Sequence, residues 1–132
     1  MRSFEEVVAV ELQTLLRAAV PPRGIRLSVR ELVVTRIERG PIGAREIGEA
    51  VEATLWAACR LVRERQASGD MIETVLDAAL EAVRGHGGES ARWMAEARYA
   101  ALSVLDQLAR EHVDEPTWRW LAGRLDLRYP RS

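Results

Sequence analysis

Apolar residues recur along this chain at intervals of three and four, and nowhere do they alternate with polar residues as a half-buried strand requires. A first helix is predicted from Phe4 to about Ala19, with Phe4, Val7, Val8, Leu12, Leu15, Leu16 and Ala19 on one face and Pro21-Pro22-Arg23-Gly24 as its stop. A second is predicted from Ser28 to about Arg39, ended by Gly40-Pro41. The third runs from about Ala44 to Ala67 and is closed by Ser68-Gly69. The fourth, from Asp70 to Gly85, buries Ile72, Val75, Leu76, Ala79, Leu80 and Val83. A fifth spans about Ser90 to His112. A short sixth, about Glu115 to Leu125, carries Pro116 in its first turn, where a missing N–H costs nothing.

Three helix starts share one pattern: Ser3-x-x-Glu6, Ser28-x-x-Glu31 and Asp70-x-x-Glu73. The cap oxygen accepts from an orphan N–H of the first turn, and the Glu reaches back to the cap's own N–H. Leu27 and Leu32 are placed to staple the second start. Short loops join helices three, four and five, which favours antiparallel neighbours. The expected fold is all-α, an antiparallel bundle of about five to six helices forming a single domain over residues 1–132.

The two long helices carry apolar residues on more than one face. On the third, Ile47, Val51, Leu55, Ala58 and Val62 set the core direction. Trp56 then points almost directly away, among Glu49, Glu52, Arg60 and Arg63. On the fifth, Trp93, Ala97, Ala100, Val104 and Leu108 form one stripe, while Ala95, Tyr99, Leu102 and Ala109 lie largely on the reverse. A helix apolar on two sides is either central to its domain or touches a partner. Helix one or helix six is one candidate cover. A second copy of the chain, meeting a seam centred on Trp56, is the other; Glu52, Arg60, Arg63, Tyr99 and Leu102 complete that candidate interface.

The chain has 132 residues, 48% hydrophobic and 30% charged, with net charge −1, enough to bury a core and too balanced to attract polyanions as a whole. All 19 basic residues are Arg, and neither Lys nor Asn occurs. Both missing types have A-rich codons, so the bias reads as a GC-rich bacterial genome and not as phosphate recognition. The single Cys59, in an apolar helical stretch, has no internal disulfide partner and fits a reducing compartment. The amino terminus turns acidic at once, without a signal-peptide pattern. No run of about 18 apolar residues follows anywhere. A soluble, cytoplasmic protein is expected.

Candidate chemistry is sparse. Neither His86 nor His112 has a carboxylate three residues before it, so the pairing used by helical di-iron sites is absent. No zinc-ligand spacing occurs. Gly85-His86-Gly87-Gly88 lacks the Lys and Ser/Thr of a phosphate loop and reads as a helix-ending turn. The expectation is a non-enzymatic protein with no cofactor and no metal.

Two resemblances bear on function. The stretch Gly40 to Val51, with Ala44-Arg45-Glu46-Ile47, resembles the entry to a bacterial helix-turn-helix. Such a motif would place Ile47, Val51, Ala53, Ala58 and Leu61 inward and present Trp56, Arg60 and Arg63 to DNA, although Glu52 stands where its turn usually has Gly. More broadly, Val29-Arg30-Glu31-Leu32, Ile47–Val51, Gly69-Asp70 opening Leu76–Val83, and the Ala-rich Ala95–Leu108 are similar to a family of small all-helical bacterial proteins of unknown function. That resemblance implies the fold and supplies no site.

The tail Thr117–Arg131 interleaves Trp118, Trp120 and Tyr129 with four Arg. This pattern suits base stacking or a membrane surface, or a docking helix that closes the bundle with Trp118, Leu121, Ala122 and Leu125. The leading expectation is protein–protein association, with the chain itself (a homodimer) or another protein as partner. A DNA-binding regulator using residues 44–63, and peripheral attachment to a membrane or granule surface, are the alternatives.

Overall fold

The computed structural model describes residues 2–39, 43–85, 90–111 and 122–124. Its elements are α1 (Phe4–Arg17), α2 (Pro22–Glu38), α3 (Ala44–Arg63), α4 (Asp70–Arg84) and α5 (Ser90–Glu111), with residues 122–124 also helical. The fold is an all-α bundle.

α1 begins as its capping residue dictates: the Glu6 N–H donates to Ser3 Oγ at 3.2 Å. It ends two residues earlier than the apolar stripe suggests. Ala19 adopts φ 55°, and the Ala19 and Val20 N–H groups donate to the carbonyls of Leu16 and Leu15, each at 3.0 Å. This pair of bonds satisfies two orphan carbonyls and turns the chain before the prolines are reached.

The second helix does not open at Ser28. It opens at Pro22, and Ser28 lies inside it with no capping role. A proline at the first helical position has its φ already set and lacks only an N–H that would be orphaned anyway. The Pro-Pro pair is thus a start signal as much as a stop. Ile25, Val29, Val33 and Ile37 then form one buried stripe at helical spacing.

α3 starts after Gly43, whose N–H donates to Glu46 Oε2 at 3.0 Å, so the reaching-back half of a capping box is present without a cap side chain. It stops at Arg63, short of Ala67. Arg65 sits at φ 60°, its N–H donating to Val62 O at 3.1 Å while the Gln66 N–H donates to Leu61 O at 2.8 Å. α4 starts and ends where expected, but its cap is Gly69, and Asp70 is the first helical residue. Asp70 and Glu73 act there as charges near the positive end of the helix.

All six residues assigned to the core face of α4 are buried. α3 is central. It packs most extensively on α5 and α1, then on α4, and touches α2 lightly, while α2 packs chiefly on α4. Buried residues of all five helices join one core, in which Leu12, Ile47, Leu55, Leu61, Ile72, Leu80, Leu105 and Leu108 are the largest fully enclosed side chains. Each contributes on the order of 1.5–3 kcal/mol of apolar burial. Thr54, buried among them, donates its hydroxyl to Ala50 O at 2.7 Å, so no polar atom of that side chain is orphaned. Of the predicted sixth helix, residues 122–124 are described. Ala122 packs on the core, and Arg124 forms an ion pair with Glu73 of α4. The rest of that helix and tail, with His86 and His112, lies outside the described residues.

Candidate functional site

At about 100° per residue, the buried positions of α3 cover rather more than half of its circumference. The remaining arc carries Glu49, Glu52, Arg60 and Arg63, all exposed, with Trp56 at its centre. Trp56 does not stand free in water as its helical position suggests. It is half-buried and packs against the edge of the core. Arg63, two turns further on, brings its guanidinium carbon to 5.3 Å from the ring centre, a cation–π distance.

The same guanidinium reaches across to α5. Arg63 Nη2 stands 2.5 Å from Glu111 Oε2, closing a charge-assisted hydrogen bond between two helices. Gln107 supports the carboxylate by donating to Glu111 Oε1 at 3.2 Å. Arg60 instead pairs along its own helix, with Glu64 at 3.4 Å, and Arg45 pairs with Glu49 at 3.2 Å. Both are exposed i,i+4 pairs of the kind that contributes only a few tenths of a kcal/mol.

Of the predicted interface, then, Trp56 and Arg63 are in contact, and Glu52 and Arg60 flank them on the same face. Tyr99 and Leu102 stand on the adjacent helix α5. Tyr99 is 71% exposed, whereas Leu102 is half-buried against the core. The reverse face of α5 is therefore split: Leu102 and Ala109 are drawn into the packing, while Ala95 and Tyr99 remain outside. The clamp through Glu111 has no signature in the sequence, because its partners are 48 residues apart and neither position is unusual for a charged side chain.

Beneath Arg63 lies Cys59, a buried thiol. Burial pushes it from 9.0 up to about 12; the Arg63 charge and its own backbone pull the other way, and Glu111 and Glu5 add to the rise. At neutral pH this thiol is protonated and a poor nucleophile. Arg63 is engaged with both a carboxylate and an aromatic face. Together these groups present an aromatic surface in a fixed orientation; they do not form an acid–base or nucleophilic pair.

A second feature is a shallow groove of about 260 Å³ lined by Glu11, Ser28, Glu31, Leu32 and Thr35, where α1 and α2 pack loosely. Ser28 faces this groove instead of capping a helix. Among the described residues, no three side chains of metal-ligating type come together.

The helix-turn-helix expectation fails on geometry. It requires a turn near Glu52 between two short helices, and α3 runs without interruption from Ala44 to Arg63. Burial explains why. Val51, Thr54, Leu55, Ala57, Ala58 and Leu61 are buried side chains of one continuous helix in the middle of the bundle, which leaves no break at Glu52 for the turn between two short helices. Among the described residues, no helix is long and apolar enough to cross a membrane. Comparison with known proteins gave no matching family model, no matching curated protein and no matching solved structure.

Proposed function

We propose that this chain is a non-enzymatic helical-bundle protein of the bacterial cytoplasm that acts through protein–protein association, its first partner being a second copy of itself. The observation that carries this reading is Trp56. A large ring, held by Arg63 at the centre of an otherwise charged and exposed helix face, leaves part of its surface in water. Covering the remainder is worth about 1–2 kcal/mol, and Trp and Tyr are the residue types that concentrate at the centres of interfaces. Tyr99 is a second exposed aromatic side chain, on the neighbouring helix α5.

The concentration dependence of thermal stability tests this reading. A self-associating wild type melts at higher temperature as protein concentration rises, because association stabilises only the folded state. Trp56→Ala should remove that dependence. A melting temperature independent of concentration in both proteins would refute self-association.

A further inference from the structure

The charges on the outer face of α3 are arranged symmetrically in space and oppositely in sign about Trp56. Glu49 and Glu52 precede it by seven and four residues; Arg60 and Arg63 follow it by four and seven. With a rise of 1.5 Å per residue, the inner pair stands about 6 Å and the outer pair about 10.5 Å from the ring along the helix. At 100° per residue, all five positions fall within an arc of about 80°. All four charged residues are exposed over this length, and Trp56 between them is half-buried, so the strip is open to solvent on either side of the ring.

We infer that two copies of the chain associate through α3, antiparallel, about a two-fold axis passing at Trp56. This rests on the self-association proposed above and specifies its geometry. In a two-fold contact the same patch serves both partners, so a residue facing another is faced by it in return. Antiparallel seating brings Glu52 across from Arg60 of the second copy and Glu49 across from Arg63 of the second copy. Each pair occurs twice, and the two rings meet at the centre. A parallel pairing would instead set Glu52 against Glu52 and Arg60 against Arg60, which like-charge repulsion opposes.

The intrachain partners do not prevent this. Arg60–Glu64 and Arg45–Glu49 are exposed pairs that exchange at little cost. Arg63 keeps Glu111 and has further N–H donors to offer, since a guanidinium carries five. The ring that Arg63 stacks upon is thereby fixed before association, which reduces the ordering required on binding.

The arrangement predicts an unusual mixing behaviour, read by light scattering after gel filtration at low salt. Glu52→Arg places a guanidinium opposite Arg60 at both symmetric contacts and should weaken the homodimer by roughly a hundredfold. Arg60→Glu places a carboxylate opposite Glu52 and should do the same. Mixed in equal amounts, the two variants should form a heterodimer. The two substituted side chains then meet at one contact, native Arg60 and native Glu52 meet at the other, and each contact pairs a guanidinium with a carboxylate. The double variant E52R/R60E should also dimerise. Both substituted positions are exposed, and unchanged helical circular dichroism would show that each variant folds. If the wild type dimerises and the single variants dimerise equally well, or if mixing fails to restore the dimer, the antiparallel α3 seam is wrong and self-association stands on another surface. If the wild type is monomeric at every concentration, both proposals fall together.

Discussion

The guanidinium carbon of Arg63 lies 5.3 Å from the centre of the Trp56 ring, two turns back on the same helix. The contact turns a ring that helical geometry aims at solvent into part of a half-buried surface, and the tie from Arg63 to Glu111 fixes α3 against α5 at the same point. Removing the side chain undoes both. Arg63→Ala should destabilise the folded protein by about 1 kcal/mol in dilute solution, and Arg63→Lys, which keeps the charge without the planar stacking group, by less. Urea denaturation measures it. Equal midpoints for wild type and Arg63→Ala would mean that neither contact is formed in solution.

The two N-terminal serines separate a cap from its imitation. Ser3→Ala removes the acceptor of the Glu6 N–H and should cost about 1 kcal/mol. Ser28→Ala, inside α2, should be neutral to slightly stabilising, since Ala is the better helix former. A large loss at Ser28 would place the start of α2 where the capping pattern alone puts it.

Two helix ends carry left-handed residues with side chains, Ala19 at φ 55° and Arg65 at φ 60°. A Cβ in this region costs about 1 kcal/mol that glycine avoids, partly offset by glycine's larger unfolded-state entropy. Ala19→Gly and Arg65→Gly should therefore each stabilise by up to about 1 kcal/mol, whereas Ala19→Val should destabilise. Chemical denaturation of the three variants decides; a destabilised Ala19→Gly would contradict this ending of α1.

These positions also mark what is legible in the sequence. The apolar stripe of α4 and the cap at Ser3 rest on local chemistry that competes with nothing, and both read correctly. Ser28-x-x-Glu31 carries the same local pattern, but Pro22 opens the helix sooner, and a helix already running has no orphan N–H there to cap. The ends at Arg17 and Arg63 are hidden because left-handed Ala and Arg carry no signal of the kind glycine gives. Periodicity puts Trp56 on the right face, but its partial burial depends on Arg63 and on how closely α1 and α5 flank α3, which periodicity does not encode. Arg98 is similar: its type suggests surface, yet it is buried at 7% exposure.

Cys59 gives a pH signature. Its thiol is raised from 9.0 to about 12 in the folded protein, with burial the main cause, so above pH 9 the unfolded chain releases a proton that the folded one retains. The unfolded state then binds fewer protons, and stability falls as pH rises from about 9 towards 12. Between about pH 8 and pH 10 the loss should be about 1 kcal/mol larger in wild type than in Cys59→Ala. Parallel stability–pH curves for the two proteins would indicate an exposed thiol.

If a second copy of the chain covers the face of α3 around Trp56, as proposed, the protein associates in solution. Sedimentation equilibrium of the wild type over a wide concentration range addresses it most directly. Self-association through Trp56 gives a mass that climbs from the 14.8 kDa monomer towards twice that value, while Trp56→Ala stays at 14.8 kDa. A wild type that sediments at 14.8 kDa at every concentration would contradict it.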